Sequence, residues 1–181
     1  MKFHDTSIQG LRKLEIEAHA DPRGLFAEGF AAWWFEVIGE EFRVRMANLA
    51  RSDARGTVRG LHWQAEPHAQ AKIVFCTTGL VFDQVVDVRP DSKTRGLSFG
   101  CELAPFVEAL FIPRGLAHGW QALEAGSSIL YLLGGDYSPR HERGIRYDSV
   151  RWPAPIVGVN DRDRAWPALK EVLGDPGNVQ S

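Results

Sequence analysis

From residue 57 to residue 133 the chain repeats short runs rich in Val, Ile, Leu and Phe, broken by Gly, Pro and polar turns. Many short strands at close intervals predict an all-β sandwich or barrel. The expected strands are 57–64, 72–77, 80–88, 97–103, 109–112, 117–123 and 128–133. Of these, 72–77 and 80–88 read as a hairpin across Thr78 and Gly79, and alternation puts Val81, Asp83, Val85 and Asp87 on one face of the second. Upstream, 11–17 alternates as a first strand, 19–24 is turn chemistry around Pro22 and Gly24, and 43–48 opens the sheet with Val44, Met46 and Asn48 on one face. Residues 31–42 carry apolar positions at near-helical spacing and predict a short helix whose tryptophans serve as core or dimer contacts, and 51–56 is a polar loop. Beyond Tyr137 the composition turns polar, with a turn expected at 160–163, a last short helix at 167–173 and a frayed end at 174–181. One domain over 1–181 accommodates the pattern, with a core of about 11–137 and an extension at 138–181.

The strand at 57–64 and those after it carry residues that a half-buried sheet does not normally hold. Arg59, His62, Lys72 and Asp83 sit among Val, Ile and Phe, and each needs a partner or a polar cavity. Strict alternation would point Arg59 and His62 to opposite faces, and Gly60 between them marks the place for a bulge that turns both inward. A buried Asp83 needs a donor, and Lys72 is the candidate by proximity in the hairpin. His118 follows Pro113 and Gly115, so it is expected at a mouth, entering a strand from a tight turn. Tyr131 lies in an apolar run where a phenol is either a core aromatic or a proton donor. Arg23, Phe26 and Glu28 put a cation, an aromatic face and an acceptor close together. That set suits a nucleotide, but on local sequence it suits a loop entering a strand better.

Composition narrows the function. The chain has 181 residues, 44% hydrophobic and 24% charged, the balance of an ordinary globular protein. Its formal charge of -2 gives no electrostatic case for binding nucleic acid or an anionic membrane. No signal-peptide core and no run approaching the ~20 apolar residues of a membrane span occurs, so a cytoplasmic protein is expected. Cys76 and Cys101 lack CxxC spacing and are read as free thiols, Cys76 as a small hydrophobe. His62 in LHWQ has no second histidine two residues on, and His68 lies beyond a proline loop, so neither metal nor cofactor is expected. There is no GxSxG elbow, P-loop or GxGxxG. A lone strand histidine is usually a hydrogen-bonded core residue; to act as a general base, His62 requires a carboxylate that fixes its tautomer.

Taken in order and spacing, DPRGLFAE, TVRGLHWQ, PHAQAKIVFCTTGLVFDQVVDVR, IPRGLAHGW, LYLLGGDYSPRHERGIR and the late DRD resemble the dTDP-4-dehydrorhamnose 3,5-epimerase family of cupin-fold enzymes, over roughly residues 21–168. The resemblance implies an all-β, cupin-type jelly-roll barrel or sandwich with short peripheral helices. It also implies a homodimer and a metal-free reaction on a nucleotide-diphosphate-linked 4-keto-6-deoxysugar, inverted at C3, C5 or both. By the same likeness His62 is the base, Asp163 the acid that orients it, Tyr131 the proton donor and Lys72 the stabiliser of the enolate oxygen. Arg23 and Arg59 are implied to bind diphosphate or sugar, Phe26 and Tyr137 to stack on the base, Glu28 to meet its polar edge, and Asn48, His118 and Glu142 to shape the pocket. A residue like Arg23 acts across the dimer interface in this family.

The chain also departs from the family pattern. Where Gln-x-Asn-x-Ser is usual it has Met46, Asn48 and Ala50, and where a Tyr-Tyr pair is usual it has Asp136-Tyr137. These are substrate-binding positions, so the changes point to a specialised relative with the catalytic set intact. The alternatives are a single-centre epimerase or ketoisomerase on another nucleotide sugar, and a non-catalytic sugar-binding cupin.

Overall fold

The structure, a computed structural model, describes residues 1–39 and 42–174, with Phe35 and Val37 described by their backbone. In chain order the strands are β1 (Lys2–Asp5), β2 (Arg12–Glu15), β3 (Ala18–Asp21), β4 (Gly24–Ala27), β5 (Met46–Ser52), β6 (Val58–Gln64) and β7 (Lys72–Thr78). There follow β8 (Val81–Asp87), β9 (Ser98–Leu103), β10 (Glu108–Ile112), β11 (Leu116–Ala122), β12 (Ser127–Leu133) and β13 (Glu142–Gly144). Short helices are α1 (Trp34–Ile38), α2 (Asp161–Ala165) and α3 (Leu169–Leu173). One sheet runs β1-β2-β10-β7-β12-β5, a second runs β13-β6-β11-β8-β9, and β3 pairs with β4 as a separate arm. Two antiparallel sheets face to face, with the helices outside them, form the expected cupin-type jelly roll.

Alternation along the strands builds three apolar layers. Between the sheets, Val74 and Cys76 of β7, Ile112 of β10 and Ile129 of β12 meet Val81 and Val85 of β8, Leu103 of β9, and Leu116 and Trp120 of β11. The intervening residues Ile73, Phe75, Phe111 and Leu132 pack with Trp34 of α1 on the outer face of the six-stranded sheet. Leu61, Val86, Ala117 and Ile145 pack on the outer face of the five-stranded sheet with Trp152, Leu169 and Val172 from the C-terminal segment. The inner rows are interrupted by polar residues of the same parity. Lys72 precedes Val74 and Cys76, Asp83 sits between Val81 and Val85, His118 between Leu116 and Trp120, and Tyr131 two places after Ile129.

Several local expectations are corrected. The hairpin is not formed: β7 and β8 lie in opposite sheets, where β7 is already flanked by β10 and β12, and β8 by β11 and β9. Gly79, at φ +73°, redirects the chain between sheets. Ser127 pins that crossover, its hydroxyl donating to the Leu80 carbonyl at 2.8 Å and accepting from the Leu80 N–H at 3.3 Å. Residues 160–163 are the start of α2 and not a simple turn, because Asn160 Oδ1 accepts from the Asp163 N–H at 2.7 Å and caps the helix. The 19–24 turn narrows to Pro22 and Arg23 between β3 and β4, and β5 begins at Met46 and runs into the expected 51–56 loop. The 31–42 helix survives as α1; Glu40 and Glu41 lie outside the described residues, as do 175–181 of the expected frayed end.

The expected bulge is present at Gly60. Its φ is +104°, and the pairing of β6 with β11 shifts register between His118 and Trp120. A Cβ here would lie 2.7 Å from both Gly119 Cα and the His118 carbonyl oxygen. Strained φ and backbone overlap together predict that Gly60→Ala loses about 3 kcal/mol of stability in denaturant unfolding. A loss below about 1 kcal/mol would mean that the two strands separate easily at this point.

Candidate functional site

The bulge sets the site. Because alternation breaks at Gly60, Arg59 and His62 both face the interior, while Leu61 packs into the outer layer. With His118 and Trp120 of β11 they form one wall of a cavity of about 300 Å³. Asn48 and Ala50 of β5, Lys72 of β7 and Tyr131 of β12 form the other, and Tyr137 and Glu142 also line it.

His62 Nε2 lies 2.6 Å from Asp163 Oδ1, and Asp163 Oδ2 accepts the Gly60 N–H at 2.9 Å. The Asp163 side chain is 1% exposed. An ionised carboxylate only accepts, so Nε2 carries a proton, and whenever the ring is neutral the free lone pair is on Nδ1. Burial works to raise the Asp163 pKa. The hydrogen bond and charge of His62, the Gly60 N–H and the Arg162 guanidinium outweigh it and hold the carboxyl below its usual range.

Desolvation pulls the Lys72 ammonium down to about 8, against the attraction of Asp83 and Glu142. Its Nζ donates to the His62 carbonyl at 3.2 Å. The donor that Asp83 requires is therefore not Lys72, as hairpin proximity suggested, but His118, whose Nε2 lies 2.8 Å from Asp83 Oδ2. Strands β8 and β11 are neighbours in one sheet, whereas β7 is across the barrel. Nor is His118 at a mouth: it is 4% exposed within β11, and burial pulls its pKa down against the opposing effect of Asp83. The turn at Gly115 ends before β11 begins, leaving His118 inside the strand. Tyr131 is held well above the ordinary phenol value by burial, and its hydroxyl accepts from Trp120 Nε1 at 2.7 Å.

At the rim, Tyr137 Oη donates to Glu142 Oε2 at 2.7 Å, and Arg162 Nη1 donates to the same oxygen at 2.9 Å. Of the positions that depart from the family pattern, Ala50 faces the cavity, while Asp136 pairs with Arg45 at 2.8 Å. Arg23, Phe26 and Glu28 do not line this cavity. Arg23 is 90% exposed at the tip of the β3–β4 arm, Phe26 is 73% exposed, and Glu28 accepts from Trp34 Nε1 at 3.2 Å. Sequence reasoning missed Trp120, although its place two residues after His118 puts it on the same strand face. It also missed the Gly60 N–H and the Asn160 cap, which acquire their roles from contacts distant in sequence.

Facing sheets around a cavity stocked with groups that can take, hold and give protons define a cupin-type protein with a site suited to acid–base chemistry. A family model described as dTDP-4-dehydrorhamnose 3,5-epimerase matches residues 5–171. The dTDP-4-dehydrorhamnose 3,5-epimerase of Sinorhizobium fredii is 37% identical over 178 residues, covering 95% of this chain and 91% of its own. The dTDP-4-dehydrorhamnose 3-epimerase of Streptomyces niveus is 36% identical, covering 90% and 82%. Among solved structures, the dTDP-6-deoxy-D-glucose-3,5-epimerase of Legionella pneumophila, in complex with dTDP-4-keto-L-rhamnose, superposes with a TM-score of 0.88 at 33% identity, covering 95% and 96%. The chain belongs to the dTDP-4-dehydrorhamnose 3,5-epimerase family.

The site's electrostatics are directly measurable. Lys72 should titrate near pH 8, charged below and neutral above, when followed by NMR of its side-chain nitrogen. Asp83→Asn removes a charge that favours the ammonium and should lower that midpoint. A midpoint near the solvated-lysine value of about 10.4 would contradict a desolvated Lys72.

Proposed function

We propose that the chain epimerises a dTDP-linked 4-keto-6-deoxysugar at C3, C5 or both, by removing a proton beside the ketone and returning one to the opposite face. The observation that carries this reading is that His62, on the five-stranded sheet, and Tyr131, on the six-stranded sheet, line one cavity from opposite walls. The ketone acidifies the adjacent C–H. His62 Nδ1, with its tautomer set by Asp163, takes that proton and the electron pair moves onto the carbonyl oxygen. The Lys72 ammonium stabilises the resulting enolate in a water-poor interior. Tyr131 then gives its hydroxyl proton to the carbon from the opposite face, the carbonyl re-forms, and that centre is inverted. Arg59, Asn48, His118, Tyr137 and Glu142 hold the sugar and its diphosphate, Arg59 through a guanidinium suited to phosphate oxygens. The relatives include a 3,5-epimerase and a 3-epimerase at nearly equal identity, which supports the sugar class and leaves the number of centres to experiment.

We further propose that the active unit is a homodimer. The β3–β4 arm exposes Leu25 and Phe26 beside Arg23, none of them lining the cavity of their own chain. An apolar hollow of about 430 Å³, lined by Phe30, Val44, Phe75, Phe106, Leu130 and Leu132, opens on the outer face of the six-stranded sheet. A second copy covering that face would let the arm bring Arg23 and Phe26 to its partner's cavity, and Glu28 with them. We place the enzyme in the cytoplasm, a reading supported by two free cysteines and by the absence, among the described residues, of a helix long and apolar enough to cross a membrane.

The catalytic reading is tested with dTDP-4-keto-6-deoxyglucose in D2O, followed by NMR. Deuterium should enter at C3, C5 or both, with inversion, at a rate that declines above about pH 8 as Lys72 loses its charge. His62→Ala should lower exchange by roughly 100-fold or more. Wild-type protein that exchanges no hydrogen would leave a sugar-binding cupin as the better reading. For the dimer, sedimentation should give twice the mass of one chain, and Leu132→Asp should shift it toward the monomer; a wild-type monomer at micromolar concentration would refute the assembly.

A further inference from the structure

Trp120 is not accounted for by packing alone. It is fully buried at the centre of the five-stranded sheet, on β11, with Asp83 of β8 on one side and Arg59 of β6 on the other. Its ring belongs to the apolar core, yet it also lines the cavity, and the Arg59 guanidinium lies 5.9 Å from the ring centroid. Its one polar atom, Nε1, crosses to the opposite sheet and donates to Tyr131 Oη at 2.7 Å.

The direction of that bond matters. An indole nitrogen donates and cannot accept, so the Tyr131 hydroxyl takes part as acceptor and its proton must point elsewhere. Among the described residues the hydroxyl makes no other hydrogen bond. Its proton is thereby free to turn toward the cavity that Tyr131 lines, where a substrate acceptor can arrive.

We propose that Trp120 is a positioning residue for proton return: its indole N–H occupies a lone pair of the Tyr131 oxygen and thereby aims the Tyr131 O–H at the sugar carbon. This rests on the epimerase reading above and goes beyond it by assigning the group that orients the donor. In the step concerned, the Tyr131 O–H bond breaks, a C–H bond forms with the enolate's electron pair, and the phenolate keeps the indole hydrogen bond. That bond and the Arg59 charge favour the phenolate, against burial and the nearby negative charge of Asp83. A phenylalanine at 120 would fill much of the space, but it would leave the hydroxyl free to rotate and the phenolate without a donor.

The test is a partition ratio. In D2O, a carbanion formed by His62 either regains deuterium from the same face, giving exchange without inversion, or receives it from the Tyr131 side, giving the epimer. The ratio of inverted to merely exchanged product is independent of how much of a preparation is folded. For Trp120→Phe, and for replacement of Trp120 by the sulfur isostere benzothienylalanine, which keeps the shape and deletes the N–H, that ratio should fall ~10-fold or more. The exchange rate and KM should stay within about 3-fold of wild type, and Tyr131→Phe should lose inversion almost entirely. If Tyr131→Phe loses inversion while both Trp120 replacements keep the wild-type ratio, Trp120 is only a core aromatic and the proposal falls with the epimerase reading intact. If Tyr131→Phe inverts as wild type does, or wild type exchanges nothing, the underlying reading has failed and the proposal with it.

Discussion

One buried carboxylate holds this arrangement together. Asp163 comes from α2, 101 residues beyond His62, and both its oxygens are committed to β6: one to the His62 ring, the other to the Gly60 N–H. A carboxylate so buried is tolerated when both oxygens are bonded and strongly destabilising when they are not, on the order of 3–5 kcal/mol for one lost partner. That cost gives the C-terminal segment a strongly preferred docking position on the five-stranded sheet. The Gly60 bulge serves it twice, since the break in alternation that brings His62 inward also presents the Gly60 N–H to Asp163. Asn160, by capping α2, fixes the backbone from which the carboxylate projects.

Desolvation then acts on the groups across the cavity, each in the direction of its neutral form. It lowers Lys72 and His118 and raises Tyr131. Asp83 opposes the first two by attraction, from a position bonded to His118 and opposite Trp120 in the sheet. Lys72 at about 8 is thus charged at neutral pH but close to losing its proton. Such poise is unavailable to a surface lysine, where water stabilises the ammonium. The apolar rows that flank each polar residue are the reason these groups can be tuned at all.

How much of this was legible in the sequence depended on the range of the interaction. Period-two alternation revealed the strands from 57 to 133, and the conflict between that alternation and the Arg59–His62 spacing revealed the bulge, because both signals are local. The supposed hairpin at Thr78-Gly79 failed for the same reason. A glycine turn between two apolar runs looks alike whether the chain folds back beside itself or crosses to a facing sheet, and the choice was made by β10, β12, β11 and β9, which occupy the flanks. Lys72 was accordingly matched with Asp83 on proximity in the chain, and His118 was set at a mouth because only its preceding turn was visible. Asp163 was indicated by resemblance alone, since nothing in Asn160-Asp161-Arg162-Asp163 announces contact with β6. The arm carrying Arg23, Phe26 and Glu28 kept its local grouping, but their distance from the cavity of their own chain is a tertiary fact.

The fold and the proposed chemistry constrain each other. Inversion requires a base and an acid on opposite faces of one carbon, and a single sheet presents its inner side chains from one side only. Two facing sheets remove that limit, so His62 on β6 and Tyr131 on β12 can address the planar enolate carbon of a sugar ring from both faces. Base and donor belong to different sheets, and the ring must lie between them in the right plane for either to reach its carbon. Asn48 and Ala50 on one side and Tyr137 with Glu142 on the other line the cavity around that position, where the proposed chemistry needs groups that orient the ring. The loss of a hydroxyl side chain at Ala50 alters that lining and touches none of the proton-moving groups. Under the proposed chemistry, substrate choice and the number of inverted centres are set at this cavity rim, separately from the base and donor carried on the two sheets.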